Sequence, residues 1–337
     1  METGHTLEVA KPMIMACFDE NIAAMLSGAP GMGKTALGKE ISVELDWPMV
    51  DETLSTMDPT DLRGVGIPGG GHVVWEKPDW LYELESYGDR PTILFLDEIN
   101  AGTSQAMLAA ALKLILERRA GPHKLPKQCR ILAAGNRQID RASVTKLTAP
   151  MNNRFLHIDV VPDLAAWQKW ANKAQVEPLL CAYLNWQASR GNNAFHVMDD
   201  PNARAFPTGR SWVSAAKFVR QPDSIRQALI AGLVGQGQAA EFDGFLRLHR
   251  SLVPLDQIIR DPAGAPVPNE PAMLYAVAAG LARKATMSNF RAVTTYAERM
   301  PAEFCTVVVS DAVRRDDTLK QAPGYSDWCI RHQDVVL

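Results

Sequence analysis

The sequence predicts an α/β protein, with a parallel sheet wrapped by helices in its first half and a helical region in its second. Three observations carry this. Over residues 1–160, short apolar runs alternate with stretches of helical period, the pattern of strands joined by crossover helices. A glycine-rich run, Gly28 to Thr35, lies between the first apolar run and the first strong helical stretch. After Pro162 the strand signal almost disappears and helix-period patterns take over.

In chain order, strands are predicted at Ile22–Leu26, Pro48–Glu52 (the weakest), Thr92–Leu96, Arg130–Ala134 and Phe155–Val161. Helices are predicted at Lys34–Leu45 and Ser104–Arg119. The second puts Met107, Ala111 and Leu114, with Leu108, Leu112 and Ile115, on one broad apolar face. Asp58–Tyr82 breaks the alternation. It holds Gly64, Gly66, Gly69–Gly71 and three prolines, with apolar pieces at Val65 and Val73–Trp75, so it reads as a hairpin projecting from the sheet domain. Asp261–Pro271, rich in proline and glycine, reads as a linker or exposed loop. Helices are expected again over Met273–Ala282, with Asn269 as the start signal, and over Phe290–Met300. The expected domains are residues 1–161 with the insert at 58–82, a helical domain over 162–255, and a helical extension over 256–337.

Composition bounds the function classes. Of 337 residues, 47% are hydrophobic and 22% charged, an ordinary globular balance with room for two domains. The formal net charge of −3 gives no global basic field for nucleic acid or an anionic membrane. Five cysteines (Cys17, Cys129, Cys181, Cys305 and Cys329) form no CxxC pair and match no zinc or disulfide framework, so a reducing compartment is expected. The first residues lack a signal-peptide layout, and no apolar run is long enough to span a membrane. A cytoplasmic protein is the expectation.

The chemistry concentrates at strand ends. Gly28, Ala29, Pro30, Gly31, Met32, Gly33, Lys34 and Thr35, followed by Ala36, match G-x-x-x-x-G-K-[ST] between a strand and a helix. Glycines let the backbone curl so that its N–H groups face phosphates, Lys34 neutralises phosphate oxygens, and the Thr35 hydroxyl ligates magnesium. A chance match in such a chain has odds of about 1% at average residue usage. The expected ligands are therefore ATP and Mg2+. Asp97 and Glu98 follow the apolar Ile93–Leu96, which places Asp97 at a strand tip able to hold magnesium through water and Glu98 where it can polarise an attacking water. Asn136 ends a further strand; alone it reads as a turn residue, and beside a phosphate loop it can orient a water.

The order of these features, with NNRF (Asn152–Phe155) and a helical domain following, resembles the MoxR-like branch of AAA+ ATPases over roughly residues 10–215. The resemblance implies a five-stranded sheet domain with an α-helical lid, assembled as a homo-oligomeric ring, usually a hexamer. It gives Asn136 the sensor 1 role, Arg154 the role of an arginine finger acting on a neighbour, and Arg210 in FPTGRSW the sensor 2 role. Ala101-Gly102 after DEIN and Arg137 after Asn136 depart from the family pattern, so Arg137 and Arg141 compete with Arg154 as the trans-acting cation.

The leading function is an ATP-driven remodelling or activation factor. The resemblance adds a partner carrying a von Willebrand factor A domain. A nucleic-acid motor is the alternative, disfavoured by a hairpin in which Asp58, Asp61, Glu76 and Asp79 oppose Arg63, His72 and Lys77. A nucleotide-gated scaffold with little hydrolysis is disfavoured by the intact Glu98. Trp167 and Trp170 read as packing, Met13 and Met15 as helix core, and His196 with Asp199 and Asp200 as a solvated loop rather than a metal site.

Overall fold

The computed structural model describes residues 4–137, 144–197, 203–250 and 254–332. It divides into two compact units, residues 1–163 and 164–337.

The first unit begins with α1 (Leu7–Asp19), capped by the Thr6 hydroxyl, and β1 (Ala23–Ser27). Then come α2 (Lys34–Leu45), β2 (Met49–Thr53), the short α3 (Pro59–Arg63), the strands β3 (Val65–Gly69) and β4 (His72–Glu76), and α4 (Asp79–Ser86). It continues with β5 (Thr92–Asp97), α5 (Gln105–Glu117), a second small hairpin of β6 (Arg119–Ala120) and β7 (His123–Lys124), β8 (Cys129–Gly135), α6 (Ala149–Asn152) and β9 (Phe155–Asp159). Five strands form one parallel sheet in the order β2-β5-β8-β1-β9. All five predicted strands are present, each within two residues of its expected bounds.

Strand parity explains the two layers around the sheet. Successive side chains point to opposite faces. Thus Leu94 and Leu96 of β5, Met25 of β1, and Ile131 and Ala133 of β8 pack with α4 and α5 residues such as Trp80, Leu84 and Leu114. Their neighbours Ile93, Phe95, Ala24, Leu26, Leu132 and Ala134 pack with α1 and α2 through Ile14, Phe18, Leu37 and Ile41. Ile93 to Phe95 are fully buried, each contributing about 1.5–3 kcal/mol by transfer from water. Met13 and Met15 pack at the edge of this second layer, in line with the helix-core reading.

The α5 helix stops short of the predicted Arg119. Arg118 adopts φ 52°, and its guanidinium donates to the carbonyls of Cys129 and Pro126, so the chain reverses into β6 and β7. The expected hairpin is β3–β4, closed by Gly70 and Gly71 at φ 58° and 80°, a turn in which both central residues need left-handed backbone. Every residue of β4 and all but Gly69 of β3 are exposed.

The second unit, among the described residues, is helical throughout. It comprises α7 (Leu164–Lys173), α8 (Pro178–Ser189), α9 (Gly209–Ala216), α10 (Asp223–Val234), α11 (Gln236–Arg250) and α12 (Leu255–Arg260), then α13 (Pro271–Lys284), α14 (Phe290–Ala297), α15 (Ala302–Arg315) and α16 (Tyr325–Arg331). Two apolar clusters fill it. One centres on Tyr183, Trp212, Phe242 and Phe245; the other on Phe290, Tyr296, Phe304 and Val308. Helix α13 serves both, with Ala276 in the first and Leu281 in the second.

One reading of the sequence is narrowed here and two change. Of the two readings of Asp261–Pro271, the exposed loop holds and the free linker does not: most of its residues are exposed, but Arg299 donates to the carbonyls of Pro262 and Ala265, the Tyr296 hydroxyl donates to Pro266, and Ala265 is buried. The cap residue of α13 is Glu270, not Asn269, because Pro271 occupies the first turn. Trp167 packs against Phe195 at 5.2 Å between ring centroids, as expected, but Trp170 is 47% exposed. Asp199 and Asp200 lie outside the described residues; among the described ones no group of three or more His, Cys, Asp or Glu side chains could hold a metal ion, and no helix there is long and apolar enough to cross a membrane. All five cysteines are free.

One buried ionic cluster bears on stability. Arg226, fully buried, donates to Asp243 through Nε and Nη2 at 2.9 and 2.6 Å, and Nη1 reaches Asp223 at 2.6 Å. Removing Asp243 leaves the buried guanidinium with only the solvent-exposed Asp223 as counter-charge and its Nε and Nη2 donors unmet. Asp243→Ala should therefore destabilise the second unit by about 3–5 kcal/mol, read from denaturant midpoints at constant slope.

Candidate functional site

The site lies at the C-terminal edge of the sheet, and the strand order brings it together. Strand β8 runs between β1 and β5, so the segments leaving these three strands are neighbours. They carry the Gly28–Thr35 loop, Asn136, and the Asp97–Glu98 pair.

The loop after β1 turns through Gly31 (φ 77°) and Gly33 (φ 96°), conformations that a side chain would strain. Gly28 packs so tightly on Val160 that a Cβ would meet its side chain at 2.6 Å. Gly33 is the N-cap of α2, which leaves the first N–H groups of that helix facing the loop. Lys34 is only 8% exposed. Its ammonium donates to the carbonyls of Gly28 (2.6 Å) and Ala29 (3.1 Å) and to Asn136 Oδ1 (3.2 Å). Curled backbone donors, a helix N-terminus and a buried cation suit a polyphosphate.

Thr35 Oγ1 donates to Asp97 Oδ2 at 2.6 Å, and Asp97 Oδ1 accepts from the Glu98 N–H at 2.8 Å. A hydroxyl and a carboxylate side by side at a phosphate loop are the hard oxygen donors Mg2+ prefers, so the residues fit that ion. Asp51 lies on the neighbouring strand β2. Burial first, then the charge of Asp97, raises its carboxyl above the ordinary value, with Lys39 opposing. Burial likewise raises Glu52, helped by Asp51, Glu83, Asp61 and Asp79.

Glu98 is exposed and adopts φ 51°, a left-handed conformation that costs a non-glycine residue about 1–2 kcal/mol. Its carbonyl accepts from Ala101 N–H (3.1 Å) and from the Thr103 hydroxyl (3.3 Å), which hold the turn. Ser55, just beyond β2, donates its hydroxyl to Glu98 Oε2. Asn100 is buried and donates to, and accepts from, the backbone of Asn136. Sequence reasoning assigned no role to Ser55 or Asn100. Ser55 carries no motif of its own, whereas Asn100 sits inside the DEIN string, which was the available signal.

One predicted arginine of this unit, Arg154, is not part of this cluster. Arg154 is exposed and precedes Phe155, which pairs with Ala23 at the start of β1. Gly28 leaves the other end of β1, so the two lie about 16–20 Å apart along the strand direction. Arg210 is exposed in the first turn of α9 in the second unit, behind a capping box of Thr208 and Ser211. Arg137 follows Asn136 on the phosphate-loop edge, and Arg141 lies outside the described residues.

A search of the curated proteins gave no match. Among solved structures, the chain is similar to Thermotoga maritima RuvB, both as a mutant (18% identity, 80% of this chain, 78% of that one, TM-score 0.38) and as the Holliday junction branch migration motor (17%, 82% and 80%, 0.38). It is also similar to NtrX from Brucella abortus in complex with ADP (15%, 100% and 70%, 0.40). Residues 24–162 match the family described as ATPase family associated with various cellular activities (AAA). The first unit thus has the AAA+ P-loop fold, a five-stranded parallel sheet flanked by helices.

Proposed function

We propose that this protein hydrolyses ATP and acts as a MoxR-like motor that remodels or activates a partner protein. The observation that carries the reading is the convergence of Lys34, Thr35 with Asp97, Asn136 and Glu98 on the tips of three adjacent strands. Lys34 would hold the β and γ oxygens. Glu98 would polarise water and take its proton, with Asn136 orienting the reactants. Thr35 and Asp97 would hold Mg2+, which when bound supplies charge neutralisation at the phosphates.

Arg154 is the candidate trans-acting cation. It lies at the opposite end of β9 from its own phosphate loop, which suits action on a neighbouring subunit, and its fixed planar charge suits a transferring phosphoryl group. A homo-oligomeric ring, hexameric by the resemblance, would complete each site. Arg210 keeps the sensor 2 role as part of a lid over 162–255, followed by the extension over 256–337. A von Willebrand factor A partner and a cytoplasmic setting rest on the resemblance and on composition.

The exposed β3–β4 hairpin is the surface we assign to the client. Val65, Ile67, Val73, Val74 and Trp75 are each between 37% and 57% exposed. Its nearby cations are engaged internally: Arg63 lies over the Trp75 ring and Lys77 pairs with Glu85. This favours a polypeptide client over nucleic acid.

Lys34→Ala should lose ATP binding and turnover while the melting profile is retained, and Glu98→Gln should bind ATP normally but turn over about a hundredfold more slowly. Calorimetry with single-turnover assays checks both; wild-type affinity in the first or wild-type turnover in the second would sink the assignment. Mixing Arg154→Ala with Lys34→Ala chains, each inactive alone, should restore hydrolysis, because some interfaces then pair an intact loop with an intact arginine. No recovery in mixed oligomers shown to form by native mass spectrometry would remove Arg154 from that role and leave Arg137 and Arg141 to the same assay.

A further inference from the structure

We propose that Asn100 is a positioning residue for hydrolysis, clamping the turn that carries Glu98 to the backbone of Asn136 so that the two groups keep one spacing. The inference rests on the hydrolytic reading above.

The need for a clamp follows from the sheet. The register between β5 and β8 ends at Leu96 and Ala133, before Asp97 on one strand and Asn136 on the other. Glu98 and Asn136 are therefore carried on tips beyond the ladder. Two connections span that gap. Ile99 N–H donates to the Ala134 carbonyl at 3.0 Å. Asn100 does more: its Nδ2 donates to the Asn136 carbonyl at 2.9 Å, and its Oδ1 accepts from the Asn136 N–H at 3.0 Å. One planar amide thus engages both backbone groups of one residue, which sets orientation as well as distance. Asn100 is 7% exposed, so water competes little for these bonds.

The surroundings are fitted to this amide. A Cβ on Gly135 would fall well inside contact distance of Asn100 Oδ1, and would meet the flexible end of Met25 at 2.7 Å. The Asn100 carbonyl accepts from Thr145 N–H at 2.8 Å, anchoring the turn from its other side. Asn136 Oδ1 in turn accepts from Lys34, so the clamp is continuous with the phosphate loop. Glu98 sits two residues before Asn100, in left-handed backbone that relaxes easily unless it is held.

The test is steady-state kinetics on the full chain with Asn100→Ala, Gly135→Ala and the double variant. A misplacement of about 1 Å costs about a hundredfold in rate. Asn100→Ala is expected to lower kcat about a hundredfold with KM for ATP and ADP affinity within about twofold of wild type. Gly135→Ala, which evicts the same amide, is expected to lower kcat similarly, and the double variant to fall less than about threefold below either single one. A wild-type kcat in folded Asn100→Ala, a loss shared by kcat and ADP affinity, or effects that multiply in the double variant would overturn the proposal. If Asn100→Ala does not fold by circular dichroism, Gly135→Ala decides alone on the same split of kcat against KM. Glu98→Gln separates the two levels: wild-type turnover there removes the hydrolytic reading, whereas a dead Glu98→Gln beside an unimpaired Asn100→Ala removes the clamp only.

Discussion

A parallel sheet buried on both faces has all its C-terminal tips along one edge, and in this chain β8 lies between β1 and β5. Everything at the candidate site depends on that insertion. Strand β1 delivers the phosphate loop, β5 the acidic pair, and β8 an uncharged amide between them. The apolar interior of these strands, Ile93 to Leu96 and Ile131 to Ala134, sets the height at which polar residues emerge. Loops leaving such tips are the usual place for ligands in open α/β sheets.

Polar groups at this edge are held by one another. The buried Lys34 ammonium is met by the Gly28 and Ala29 carbonyls and by Asn136, the Thr35 hydroxyl pairs with Asp97, and Asp97 in turn fixes the Glu98 N–H. Burying a cation without acceptors is prohibitive, so its retention at 8% exposure depends on the loop carbonyls turned towards it. The same loop then turns through Gly31 and Gly33 in conformations closed to most other residues. Glu98 reaches the same edge at the cost of left-handed backbone, stabilised by Thr103 and Ser55.

The hairpin follows an opposite logic. Two strands standing off the sheet expose five large apolar side chains between Val65 and Trp75, which a protein surface seldom does without a binding role. The Gly70-Gly71 turn keeps it tight, while its root is fastened where Trp80 Nε1 donates to the Asp61 carbonyl. The second unit is held differently, around a buried Arg226–Asp243 pair and aromatic rings packed on Tyr183, whose hydroxyl burial pushes towards higher pKa.

By itself the sequence determined the five strands, the helices α2 and α5, the β3–β4 hairpin and the phosphate loop, because each is written in local terms. Apolar runs of strand length, helical period and glycines at turns act over a few residues, and the G-x-x-x-x-G-K-T match carries its own geometry. Asp97, Glu98 and Asn136 were legible because each ends such a run. Only the tertiary structure decided what lies between elements distant in the chain: Ser55 against Glu98, Asn100 across the backbone of Asn136, Arg118 reversing the chain after α5, and Asp261–Pro271 fastened by Arg299 and Tyr296. These contacts join residues 11 to 43 positions apart. No periodicity reports them, because a hydrogen bond between two strand tips depends on sheet order, and sheet order is set by how all the strands bury their faces together.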